Sequence, residues 1–173
     1  VLGNHEFNYG LNYLKNAYDK ISDKVINANI KGLPFNTKPY KVFDFNGFKV
    51  GCIGFTTVYI PNWEQEANIK DLEFLDVVKQ YAKYEKELKE NCDFIIVCYH
   101  GGFEKSLDEN MTPTEALTKE NQGSELLENF DSINMILSGH QHRSFITKIK
   151  DVICSQPMHN GQSFTKVVID TES

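Results

Sequence analysis

The strongest constraint in this sequence is a pattern that occurs twice: an amphipathic helical stretch, a short apolar strand, then a loop rich in glycine and histidine. In the first cycle Phe74, Leu75, Val78, Tyr81, Ala82 and Leu88 recur at helical spacing between Asp71 and Asn91, while Lys79, Lys83, Lys86 and Glu90 face outward. The run Phe94-Ile95-Ile96-Val97-Cys98 follows and delivers Tyr99-His100-Gly101-Gly102. In the second cycle Asn121 to Phe130 reads as a helix, Ile133 to Ser138 as a strand, and Gly139-His140-Gln141-His142 as the loop. Strands that are apolar on both faces and alternate with helices imply an α/β fold with parallel strands. Loops at the C-terminal ends of such strands are where these folds gather chemistry.

The remaining elements are shorter. Leu11, Leu14 and Tyr18 share one face of a helix over Tyr9 to Tyr18, with Asn8 at the N-cap position. A short strand is expected over Val25 to Ile30. A hairpin follows, Lys41 to Phe45 and Phe48 to Thr56, joined by Asn46-Gly47, a pair suited to a two-residue turn. The tail reads as three strands, Ser144 to Lys150, Val152 to Ser155 and Phe164 to Asp170, with turns at Asp151 and Asn160-Gly161. No repeat, linker or low-complexity tract interrupts residues 1–173, which read as one domain.

Composition removes several function classes. The formal charge is −6 with both signs interspersed, so no surface tracks a polyphosphate backbone and long nucleic acid is not an expected partner. No apolar run approaches the roughly 20 residues that span a bilayer. Cys52, Cys92, Cys98 and Cys154 form no C-x-x-C pair and read as buried free thiols, which leaves the redox compartment open. The opening Val1-Leu2-Gly3 carries neither initiator Met nor signal-like stretch and reads as a cut.

Four of the five histidines fall in three short motifs: Gly3-Asn4-His5-Glu6, His100-Gly101-Gly102 and Gly139-His140-Gln141-His142. A lone histidine at a strand end is usually an ordinary core or surface residue. Imidazole nitrogen nevertheless suits first-row transition ions, and neighbouring glycines admit close approach, so the set as a whole points to metal. In an extended Gly-His-Gln-His segment both imidazoles would point the same way.

The order Asn-His-Glu, His-Gly, Gly-His-x-His resembles the calcineurin-like metallophosphoesterase superfamily. Gly3-Asn4-His5-Glu6-Phe7-Asn8-Tyr9-Gly10 is similar to its 5'-nucleotidase and 2',3'-cyclic-nucleotide 2'-phosphodiesterase branch. Gly54-Phe55-Thr56-Thr57 with Ile60-Pro61-Asn62-Trp63-Glu64, and Thr114-Glu115-Ala116-Leu117-Thr118 with Glu120-Asn121-Gln122-Gly123, point to the cyclic phosphodiesterase side. The resemblance implies a partial αββα sandwich in which Asn4, His100 and His140 ligate one divalent ion, His142 ligates a second, and His5 is catalytic. It implies manganese, zinc, iron or cobalt as cofactor, ions about 3.5–4 Å apart that activate water for in-line attack, and a nucleotide as substrate. His5 would serve as general acid toward the leaving ribose oxygen. No residue is assigned to the nucleotide itself. A cell-envelope or secreted location is implied by resemblance alone.

Departures sharpen the expectation. Family members carry an upstream Asp-x-His and a Gly-Asp, and neither string occurs in this chain. An N-terminally truncated domain is therefore expected, with reduced or absent metal occupancy, little activity alone, and an exposed sheet edge open to dimerisation. The C-terminal domain that closes over the base in this branch is absent as well, so base preference is not legible. Asn8 stands where many nucleotidases place an Asp, and either orients His5 or caps the helix. His159 reads as an ordinary turn residue, Tyr99 and Phe103 as support for the His100 loop, and Glu104 to Glu109 as a solvated face. Trp63 is open between loop anchor and substrate contact. The rival enzyme readings are a 5'-nucleotidase or sugar-nucleotide hydrolase, and the non-enzyme rival is a binding module on the same scaffold.

Overall fold

The computed structural model describes residues 1–170. Its centre is a six-stranded mixed sheet, order β2-β3-β5-β6-β8-β7, built from β2 (Tyr40–Phe45), β3 (Phe48–Thr56), β5 (Phe94–His100), β6 (Met135–Ser138), β7 (Ser144–Ile149) and β8 (Val152–Pro157). Strands β3, β5, β6 and β8 run parallel, while β2 and β7 close the edges antiparallel. The parallel core follows from the helices: α3 (Val77–Asn91) carries the chain from β3 back to β5, and α4 (Gly123–Asn129) from β5 back to β6.

The sheet has two different faces. Ile53, Phe55, Ile95, Val97, Tyr99, Ile136 and Cys154 meet Val77, Tyr81, Leu88, Leu126 and Leu127 of α3 and α4 in the main core. Each such fully buried side chain stabilises the fold by about 1.5–3 kcal/mol in transfer terms. Val50, Ile96 and Met135 form a smaller cluster on the opposite face, with Cys52, Phe94, Cys98, Leu137, Ile153 and Ile169 partly covered around it. The described residues thus hold one large sheet with helices on one side, the partial sandwich that the resemblance implied. A third cluster, around Leu2, Phe7, Leu14, Val25, Ile30, Ile60 and Ile69, lies beneath the N-terminal turn Asn4–Phe7 and helix α1 (Gly10–Tyr18), with Ile69 supplied by the short helix α2 (Glu66–Ile69).

Several expected boundaries move, each for a local reason. Helix α3 begins at Val77 rather than near Asp71, because Asp76 caps it by accepting from Lys79 N at 3.0 Å. The preceding residues form β4 (Glu73–Phe74) instead, paired with β1 (Ile30–Lys31). Most of Val25 to Ile30 lies outside any strand. Asn27 folds back onto its own backbone through Ile30 N and O, and Asn29 bonds both backbone groups of Thr56. Helix α4 starts at Gly123, since Asn121 and Gln122 are buried and commit their side chains elsewhere, Asn121 to Gly102 N in the preceding loop and Gln122 to Val77 N at the start of α3. The third tail strand, over Phe164 to Asp170, does not form: β8 is already paired on both edges, and this segment instead rests Ile169 on the second sheet face. Of the four free cysteines only Cys154 is fully buried, and the other three are half-buried.

Candidate active site

Strand register brings the first two motifs together. Thr56 and His100 are partners at the ends of β3 and β5, and Thr57 N donates to His100 O at 2.8 Å. Thr56 Oγ1 reaches across to Leu2 O at 2.7 Å and draws the Gly3-Asn4-His5 turn over the end of β5. Contact there is so close that a Cβ on Gly3 would lie 2.8 Å from His100 Cε1, which only glycine avoids. The result is a direct pairing of Asn4 Oδ1 with His100 Nε2 at 2.9 Å.

The third motif arrives differently from expectation. Gly139-His140-Gln141-His142 is not extended: His140 has φ 69° and His142 φ 57°, so both imidazoles are aimed by left-handed backbone that non-glycine residues seldom adopt. Two glutamines hold this shape. Buried Gln156 accepts from Arg143 N at 2.7 Å and donates to Gly139 O at 2.7 Å and Ser138 Oγ at 3.1 Å. Gln141 exchanges two 3.0 Å hydrogen bonds with the backbone of Phe103, tying this loop to the one after β5.

His140 and His100 lie with ring centroids 5.4 Å apart. His140 Nε2 meets Glu120 Oε1 at 2.9 Å, and because a carboxylate only accepts, Nε2 carries a proton. His142 is not part of this group. It stacks on His159, centroids 4.7 Å apart and rings 24° from parallel. His159 is therefore no ordinary turn residue: its Nδ1 is the one buried side-chain nitrogen or oxygen without a hydrogen-bond partner among the described residues. Trp63 is 46% exposed yet its ring lies 5.3 Å from that of His140 and edge-on to Tyr59, at the rim of the site.

His5 stands beside the cluster and faces outward. The question of Asn8 is settled geometrically: α1 is capped by Tyr9, and Asn8 Oδ1 lies 2.9 Å from His5 Nδ1. Asn8 Nδ2 in turn donates to Glu64 Oε2 at 2.7 Å. Partial burial disfavours the Glu64 carboxylate, but hydrogen bonds from Asn68, Asn8 and the Gln65 amide outweigh it and hold its pKa below the usual value.

The electrostatics suit a cation. Burial first, then the neighbouring imidazoles of His140, His5 and His142, push the His100 pKa down to about 4, leaving it neutral with a lone pair to offer. No three His, Cys, Asp or Glu side chains converge on one point among the described residues. The amide oxygen of Asn4 lies against the His100 ring. An amide oxygen only accepts, so at this 2.9 Å contact the proton sits on His100 Nε2, and an ion bound between the two would have to displace it. Imidazole nitrogen and amide oxygen are nonetheless donor types that a divalent transition ion accepts.

Tyr99 and Phe103 support the loop as expected, both fully buried, with Tyr99 OH donating to Glu120 O at 3.2 Å. Glu104 departs from the solvated reading of its segment, while Asp108 and Glu109 are exposed as that reading has them. Glu104 is 2% exposed, and its Oε1 accepts from the amides of Thr118 and Asn121 and from Thr118 Oγ1, closing the long excursion after β5 on itself. Sequence reasoning also missed Glu64 and Glu120 as site residues, although both lie in the quoted segments Asn62-Trp63-Glu64 and Glu120-Asn121.

An α/β sheet that gathers three histidine-bearing loops at the C-terminal ends of its parallel strands defines a class, and comparison with known proteins agrees with it. The calcineurin-like phosphoesterase family model matches residues 1–144, and the chain belongs to that family. A cell wall protein of Listeria monocytogenes is 30% identical over 195 residues, covering 96% of this chain and 25% of the relative. A 2',3'-cyclic-nucleotide 2'-phosphodiesterase/3'-nucleotidase of Haemophilus influenzae is 31% identical, covering 86% of this chain and 23% of the relative. Among solved structures, a Staphylococcus aureus protein assigned as a 5'-nucleotidase shares 44% identity and a TM-score of 0.86, covering 91% of this chain and 31% of that one. The chain thus spans about a quarter of these curated relatives. No helix among the described residues is long and apolar enough to cross a membrane.

Proposed function

We propose that this chain carries the metal-binding and acid–base side of a nucleotide phosphoester hydrolase. The observation that supports it is the meeting of Asn4, His100 and His140 from three separate loops, with His5 alongside. Asn4, His100 and His140 would hold one divalent ion, and His142, backed by His159, would serve a second. Bound divalent ions would supply charge neutralisation on the phosphoryl oxygens.

The chain's own residues supply the rest. Glu120 engages His140 Nε2, which would leave Nδ1 as the nitrogen to offer to an ion. His5 Nδ1 is engaged by Asn8, so Nε2 is the nitrogen that exchanges a proton with the leaving oxygen. Trp63, at the rim, is suited to lie against a ribose or base. Substrate class follows from the relatives: a 2',3'-cyclic-nucleotide 2'-phosphodiesterase/3'-nucleotidase acting as part of a longer chain is the first reading. A 5'-nucleotidase or sugar-nucleotide hydrolase is the nearest alternative, and the name of the Listeria relative favours action at the cell envelope.

The three donors proposed for the first ion are all neutral, so little protein charge offsets two divalent ions. The 173-residue chain alone is expected to hold metal weakly and turn over little substrate. Metal analysis after dialysis, with 2',3'-cyclic AMP and AMP as parallel substrates, tests this. Weak binding abolished by His100→Ala is expected. Two tightly retained ions with full turnover would refute the charge argument, and no metal binding at any concentration would refute the site.

A further inference from the structure

The hydrogen bonds behind His5 form a directed chain. Glu64 as a carboxylate can only accept. Its Oε1 takes the amides of Gln65 at 2.9 Å and Asn68 at 2.8 Å, and its Oε2 takes Asn8 Nδ2 at 2.7 Å. Asn68 Nδ2 also reaches Asn8 O at 3.2 Å, so the Asn8 backbone is braced by the same group. Flipping the Asn8 amide would bring its oxygen against the carboxylate. Held unflipped, Asn8 presents Oδ1 to His5 Nδ1 at 2.9 Å, and an amide oxygen there demands a proton on Nδ1.

We propose that Glu64 is a positioning residue for His5: through the Asn8 amide it fixes the tautomer of the imidazole, with the proton on Nδ1 and the lone pair on Nε2. The contact is charge-assisted at the Glu64–Asn8 step and neutral at the Asn8–His5 step, so His5 is oriented without forming an ion pair. This deepens the reading of His5 as the acid–base group, but the tautomer is a property of the chain whether or not that reading holds.

The test is nitrogen-15 NMR of the His5 ring in the full chain, with chelator present and at alkaline pH where imidazole is neutral. The unmodified chain is expected to show Nδ1–H alone. Glu64→Gln accepts or donates equally well, so both amide orientations pair and the two tautomers should mix. Glu64→Lys can only donate, so Asn8 should turn and His5 should switch to Nε2–H. Pairing Glu64→Lys with Asn8→Asp should restore Nδ1–H, because an aspartate accepts from both neighbours. A merely structural role for Glu64 would give none of this inversion and rescue. An Nε2–H tautomer in the unmodified chain, or Nδ1–H unchanged in both Glu64 variants, overturns the proposal. If Glu64→Lys fails to fold, Asn8→Ala must abolish the bias in its place, and a retained Nδ1–H overturns it equally.

Discussion

The loops carrying His100 and His140 bring imidazoles to within 5.4 Å of one another by opposite means. His100 is the last residue of a paired strand, so the sheet itself sets its position, and flanking glycines simply make room. His140 and His142 sit beyond the end of β6 in left-handed backbone that is unfavourable by itself, and two glutamine side chains hold them there. The first imidazole is positioned by regular structure and the second by a bracket working against strain. The two loops should therefore fail differently when their supports are removed.

The largest effect is expected from Gln156→Ala. It strands Gly139 O and Arg143 N in a half-buried setting, and unfolding by urea should show a loss of about 2–3 kcal/mol. Unchanged stability would mean that water replaces the bracket without cost. Next comes Gln141→Ala, at about 1–2 kcal/mol for two hydrogen bonds between the loops. The three nearest atoms that a Cβ on Gly102 would meet all belong to Gln141, the closest at 2.0 Å. Gly102→Ala should therefore be costly alone and much milder beside Gln141→Ala, a coupling of about 1 kcal/mol or more in a double-mutant cycle. Additive losses would show that the loops are not linked through this contact.

Asp76→Ala probes the first loop from below, since Asp76 holds Lys119 and Gln122 on the return of the excursion as well as capping α3. Burial works against its charge, but Lys119 and the cap amide prevail and lower its pKa below the ordinary 3.8. A depressed carboxylate stabilises the fold above its unfolded pKa and loses that contribution as pH falls through the folded one. The deficit of the variant, about 1 kcal/mol, should be full at neutral pH and shrink only below pH 3.8. The smallest effect has the opposite sign. His142→Gly relieves left-handed strain while adding unfolded-state freedom, for a net gain on the order of 0.5 kcal/mol.

How legible the site was from sequence follows the same division. The strands from Phe94 and Ile133 and the hairpin at Asn46-Gly47 were readable because period and turn chemistry are local. Asn4, His100 and His140 were readable because their motifs are compact. The conformation of the His140 loop was not, because Gln156 imposes it from outside the motif and Gln141 by reaching the backbone of Phe103 in another loop. Asn8 was ambiguous for a similar reason: cap or acceptor depended on Glu64, which lies 56 residues away in sequence. Glu104 read as solvated because the segment that buries it returns only at Thr118 and Asn121. The tail segment after Phe164 had strand composition but no open edge of β8 to join.

Side-chain parity along β5 has a consequence for how such a chain tolerates changes in length. Phe94, Ile96 and Cys98 face one way and Ile95, Val97 and Tyr99 the other, and His100 takes the phase of the first set. Inserting or deleting one residue within this strand would swing the imidazole toward the helices and export an aromatic ring. A two-residue change would keep the phase but displace the ring by roughly 6–7 Å, out of reach of Asn4. Natural length variation should therefore collect in the excursion between residues 101 and 122 and in the turns, leaving the strand at a fixed count.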